Sequence, residues 1–336
     1  MHSFLDPAIL FFIFGAIAGT VRSNLEIPPA ISRFLSLYLL MALGLKGGFA
    51  LAQSGLTPEV LSSLAAAMAL AIVIPLIGFM FLKRFLSGFD AAAIAATYGS
   101  VSAVTFVTAV QYLENQSIAF GGHMAAAMAL MESPAIILAV LLASSIRQQK
   151  LATSSVVMNS GLASLSLGLP QQTVSLKKIL HESFTDGAQL LLLGAMAIGM
   201  LTGESGQAAM QPFSSDLFKG MLAFFLLDMG LLTARNFHQL KAVPLALLFY
   251  AAVAPVVHAG LALALAFLAD VSKGNTILLM VLAASASYIA VPAVLRTAIP
   301  EAKPSIYFGL SLGITFPLNL LVGIPTYAWV VNHFFV

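Results

Sequence analysis

Two short runs hold the residue types best suited to binding chemistry. The first is Tyr98-Gly99-Ser100-Val101-Ser102, followed by Ala103 and Thr105. The second is Ser285-Ala286-Ser287-Tyr288. Each is small, hydroxyl-bearing and a poor helix former. Each interrupts an apolar stretch, residues 90–115 and 275–298. A helix that unwinds there frees backbone N–H and C=O groups, which an apolar phase tolerates only when they are buried in protein or face a wet cavity. The half-helix that resumes presents a positive N-terminus, suited to a small anion. Hydroxyls and freed carbonyls offer neutral oxygens for sodium. Singly, each Gly or Ser reads first as a means of close helix packing. As a matched pair they predict one substrate site built from Gly99, Ser100, Ser102, Ala103, Thr105, Ser285, Ser287 and Tyr288.

Charged residues inside apolar stretches are few, and Lys46, Glu132 and Asp228 are the deep ones. Glu132 precedes Ser133-Pro134 and is read either as an ion or proton site or as a structural partner. Lys46 pairs with Glu132 or Asp228, or snorkels to the interface. Asp228 reads as a cap or pairing residue, His258 as a satisfied buried histidine, and Arg296 as an anchor. Asn319, after Pro317, lines a cavity or bridges helices. Ion coupling is assigned to Ser102, Ser287, Glu132 and Asn319, whose oxygens suit sodium or, at Glu132, a proton; no other metal or cofactor is expected. No cysteine is present, so thiolate chemistry and disulfides are excluded. No HExxH, GxSxG or phosphate-loop pattern occurs, and the chain reads as no enzyme.

These residues need a scaffold. Of 336 residues, 60% are hydrophobic and 8% charged, far below the roughly 25% charged of soluble domains. The chain is an all-α polytopic membrane protein with the lipid bilayer as its solvent. No basic run points to nucleic acid. Ten apolar spans are expected, at about 7–21, 31–52, 60–82, 90–113, 122–146, 184–201, 217–233, 242–268, 275–297 and 305–331. The first lacks a basic residue ahead of it and reads as a retained span. The odd connections hold twelve Lys or Arg residues and the even ones two. The odd ones are therefore cytoplasmic and both termini outside.

Four matches run in order between the halves: Gly44-Leu45 with Gly230-Leu231, Pro75 with Pro255, Ser100-Val101-Ser102 with Ser285-Ala286-Ser287, and Pro134 with Pro317. Five spans per half turn the second copy over, giving a 5+5 inverted repeat with broken helices in spans 4 and 9. The first repeat is 1–146, the second 182–336, and 147–181 is a flexible cytoplasmic linker. Core and gate domains each draw on both repeats.

The chain resembles the sodium-dependent bicarbonate transporters first described in cyanobacteria and their divergent bacterial relatives. Gly44-Leu45-Lys46-Gly47-Gly48, Gly99-Ser100-Val101-Ser102, Glu132-Ser133-Pro134-Ala135 and Ala254-Pro255-Val256-Val257-His258 carry the likeness. Most specific is Ala283-Ala284-Ser285-Ala286-Ser287-Tyr288-Ile289 with Leu295-Arg296-Thr297-Ala298-Ile299-Pro300. The resemblance implies sodium-coupled bicarbonate import by alternating access, a homotrimer in the bacterial inner membrane, and a PII-like cytoplasmic regulator. It departs where Ala103 and Val104 follow Ser102, and where Tyr288 and Glu132 stand at family aspartates. Two alternatives stay open: a proton- or sodium-coupled carrier of another small carboxylate, and a non-transporting anion sensor.

Overall fold

The computed structural model describes residues 6–55, 57–158, 187–237, 240 and 243–334. All regular elements among them are helical. The first three helices, α1 (Pro7–Thr20), α2 (Pro29–Ser54) and α3 (Pro58–Leu82), each begin on proline. Its missing N–H costs nothing in a first turn, and its fixed φ favours the helix. Next come α4 (Gly88–Gly99), α5 (Ala103–Asn115) and α6 (Met124–Met158). Helix α6 runs past the apolar stretch that ends at Ile146, into the segment expected to be a linker. The rest of that segment lies outside the described residues. The second half has α7 (Gly187–Gln211), α8 (Phe218–Asn236), α9 (Leu245–Leu268), α10 (Lys273–Ala284), α11 (Ala290–Ala298) and α12 (Pro304–Phe334), the last containing two π turns.

Seven helical runs among the described residues are long and apolar enough to cross a membrane. The pair α4–α5 counts as one of these, as does the 50-residue run Gly187–Asn236, although Gly203 inside it is non-helical at φ 53°, ψ −136°. Helices α1 and α10 are apolar but shorter.

Two helix pairs pack backbone against backbone. Gly44 and Gly48 of α2 sit against the Leu192 and Met196 carbonyls of α7, where a Cβ would overlap the oxygen. On α1 and α8, Gly230 faces the Phe12 carbonyl and Gly15 the Leu227 carbonyl in the same way. Both pairs run parallel: Gly44 and Gly48 meet Leu192 and Met196 in turn, and Gly15 and Gly19 meet Leu227 and Leu231. Such close approach suits helix association in lipid, where van der Waals contact does most of the work.

Contacts recur between the halves. Asp90, at the start of α4, accepts from the Lys303 N–H at 2.9 Å. Asn275, at the start of α10, accepts from the Gly121 N–H at 2.7 Å. The two acceptors lie 185 positions apart and the two donors 182. Each ties the head of a broken helix to the loop before a helix of the other half.

The polar residues collect at two ends. At one, Arg147 forms a bidentate pair with Glu301 at 2.7 Å and also donates to the Ala298 carbonyl. At the other, one Glu59 oxygen accepts from the Ser272 N–H and the Asn275 amide, both at 2.8 Å. His123 is buried beside that cluster, with Nε2 unpartnered. Burial holds its imidazole below the usual histidine range, and the Glu59 carboxylate draws it part of the way back. The unfolded chain therefore takes up a proton near pH 6.5 that the folded chain resists. Stability held by the neutral ring is complete above that pH and is lost as the pH falls through it. We expect the melting temperature in detergent to drop between about pH 7.5 and about pH 5, and His123→Asn to flatten that slope.

Candidate anion site at the crossing of two broken helices

The first break is three residues long. Ser100 is extended at φ −97°, ψ 179°, and Ser102 at φ −104°, ψ 110°. Ser102 then caps α5: its Oγ accepts from the Thr105 N–H at 3.2 Å and from the Thr105 hydroxyl at 3.0 Å. The second break runs from Ser285, extended at φ −78°, ψ 164°, to Ile289. Ser287 plays the capping part, accepting from the Val291 N–H at 3.2 Å.

The two breaks are bonded to each other. The Ser102 N–H donates to Ser285 Oγ at 3.0 Å, and the Ser285 hydroxyl donates onward to the Leu282 carbonyl at 2.8 Å. The Ser287 N–H donates to the Thr97 carbonyl at 2.8 Å. Backbone groups freed by unwinding are thereby paired across the crossing, as burial demands. Asn319 of α12 supports it from behind, donating to the Ala284 carbonyl at 2.7 Å and accepting from the Tyr327 hydroxyl at 3.0 Å. Tyr98 is anchored likewise. Thr315 gives its proton to the Ala251 carbonyl, so the Tyr98 hydroxyl is the donor in their 2.7 Å contact.

A cavity of about 240 Å³ lies on one side of the crossing. Val101 and Ser102 of the first break, Ala103 and Val104 of α5, Ser287, Tyr288 and Ile289 of the second break and Ala290 of α11 line it. Helices α5 and α11 thus both begin at its wall. The opening N–H groups of a helix have no acceptor within it, so Ala103, Val104 and Ala290 present positive partial charge there. Glu132 of α6 also lines the cavity, with its Oε2 taking a 2.7 Å hydrogen bond from the Gln189 amide of α7.

Of the residues predicted for the site, Ser102, Ala103, Ser287, Tyr288 and Glu132 share this cavity. Gly99, Ser100, Thr105, Ser285 and Asn319 stand behind it. Gly99 packs under the Pro75 ring, where a Cβ would come within 2.6 Å. Ser100 is 1% exposed, and its hydroxyl has no hydrogen-bond partner among the described residues. Among the described residues no group of three or more His, Cys, Asp and Glu converges, so a transition metal has no ready set of ligands. Ser36 of α2 and Gln189 line the cavity and escaped the sequence reading. Lys46 pairs with Glu114 at 2.9 Å, not with Glu132 or Asp228.

Comparison with protein families matches residues 7–332 to the Na+-dependent bicarbonate transporter superfamily. The chain belongs to this superfamily. Comparison with curated proteins gives no match. Membership makes the protein a transporter, not an enzyme.

Tyr288, in the second break, is buried at the crossing. Its hydroxyl donates to the Met229 sulfur of α8 at 3.7 Å, and the residue lines the cavity together with Ser102.

Proposed function

We propose that the protein imports bicarbonate together with sodium by alternating access. The observation that carries the proposal is the pair of half-helix N-termini, α5 and α11, on one cavity. Two positive helix ends and two capping serines suit a small oxyanion, whose own charge would be costly to bury without them. Sodium would draw on neutral oxygens about the breaks, Ser100, Ser102 and Ser287, with Glu132 supplying negative charge in the same cavity and Asn319 holding the frame.

The ten-span plan is part of this proposal. Splitting Gly187–Asn236 at Gly203 and adding α1 and the α10–α11 pair to the other six runs gives ten. The recurring contacts at matched offsets support the inverted repeat, with α1, α2, α7 and α8 as gate and the other helices as core. The basic odd connections support a cytoplasmic Arg147 end, with both termini outside a bacterial inner membrane. The resemblance also carries a homotrimer and a PII-like regulator, which would meet segment 147–181.

Uptake of radiolabelled bicarbonate into proteoliposomes tests the proposal. We expect accumulation under an inward sodium gradient and none in empty vesicles. Equal uptake with and without sodium would overturn the coupling. Glu132 in the cavity favours one second reading, a proton-coupled carrier of a small carboxylate. Uptake that follows a pH gradient without sodium would select it.

A further inference from the structure

A second cavity, of about 510 Å³, opens at the Glu59 end between α2, α5 and the turn ahead of α8. Lys46, Glu114, Asp216 and Lys219 line it. It stops short of the crossing. Leu43, Phe106 and Met124 form its inner wall, and Leu40, Val104 and Met128 line the crossing cavity beyond. Leu40 and Leu43 are three residues apart, so the wall between the cavities is about one helical turn, roughly 5 Å, thick.

We propose that Lys46 and Glu114 form the latch that holds this outer face shut. The inference rests on the alternating-access reading and assigns its gating residues. Lys46 belongs to α2, in the gate, and Glu114 to the last turn of α5, in the core. Lys46 Nζ lies 2.9 and 3.2 Å from the two Glu114 oxygens. It also sits 4.4 Å from the centre of the Phe218 ring at the start of α8, a cation–π distance. The side chains are only 20% and 31% exposed, so salt screens the pair less than a surface one. The next residue, Gly47, packs against Gly122, where a Cβ would come within 2.8 Å of the Gly122 carbonyl. The latch thus closes over a bare backbone seam. Opening the outer face requires α5 to part from α2, and this ion pair spans that line.

The test uses the full chain, whose lack of cysteine leaves a clean background. Leu43 is 3% exposed at the base of the outer cavity and serves as the reporter position. Leu43→Cys is labelled with a membrane-impermeant maleimide from the outer side. Adding Glu114→Gln or Lys46→Met should speed labelling about fivefold, the effect expected for an ion pair worth about 1 kcal/mol. The swapped variant Lys46→Glu with Glu114→Lys should return it to the slow rate. Raising salt should speed labelling of the parent pair and leave Glu114→Gln unchanged. Unchanged labelling in both single variants, or a swap as fast as the singles, overturns the latch. Cysteine at Ile94, buried in the core, controls for unfolding, and a variant that exposes it is replaced by the salt titration. Labelling needs no substrate, so a failure of the bicarbonate reading would show in uptake and leave this result intact.

Discussion

Ser102→Leu and Ser287→Leu should each abolish sodium-driven bicarbonate uptake while the protein still elutes as one folded species. Both serines line the cavity, and both cap the half-helix that begins there. Losing a cap costs about 1 kcal/mol of helix stability. A domain with a net stability of roughly 5–15 kcal/mol tolerates that loss. The isobutyl group does the greater harm. It fills part of a 240 Å³ cavity and covers the N–H groups that would hold the anion. Ser102→Ala and Ser287→Ala separate the two effects. They leave the cavity open and remove one hydroxyl, so apparent affinity should fall about tenfold, in line with a hydrogen bond to a charged group. Full transport by either leucine variant would remove the crossing from consideration as the substrate site.

Gly230→Leu is expected to do the reverse, destroying the fold before it touches the site. Gly230 meets the Phe12 carbonyl of α1 with no room for a Cβ, and Gly44 meets Leu192 of α7 in the same manner. A leucine there must push two parallel helices apart along their length. Overpacking commonly costs about 1–3 kcal/mol where side chains can adjust, and a backbone oxygen cannot turn aside. Detergent-extracted Gly230→Leu and Gly44→Leu should aggregate on size exclusion. Gly194 and Gly260 supply the comparison, since an added Cβ meets nothing within 4 Å at either. Their alanine variants should be as stable as the parent or slightly more so, by up to about 1 kcal/mol of helix propensity. A monodisperse Gly230→Leu protein would mean that α1 and α8 do not pack as closely as described.

The breaks were legible because their signal is local. Runs of Gly and Ser inside apolar stretches mark places where a helix lacks reasons to continue, and both unwind within a residue or two of the expected points. The long helices were legible from hydropathy for the same reason. What joins distant parts of the chain left no such trace. Lys46 finds Glu114, 68 positions away, because α2 and α5 happen to cross there. Gln189 looks like any amide at the start of an apolar span, and only packing brings it to Glu132. Ser36 is one hydroxyl among many. The extension of α6 to Met158 is hidden differently. Polar residues end an apolar run without ending a helix, and a reading by hydropathy stops where the lipid does.

The hydrogen bonds that join the two breaks have a consequence for the direction of flow. Ser102 is tied to Ser285, and Ser287 to Thr97, so the groups around the crossing travel as a single block. In the proposed cycle an ion bound to the two breaks keeps these partners on both sides of the membrane. Ser36 and Gln189 stay with the gate, so the block chiefly sets the ion's affinity. Its dissociation constant is then alike on the two faces, apart from the work done by the membrane potential. Such a carrier has no preferred direction of its own, and net movement follows the summed gradients of its cargo. A cell whose sodium gradient has run down would lose stored bicarbonate through the same protein that gathered it.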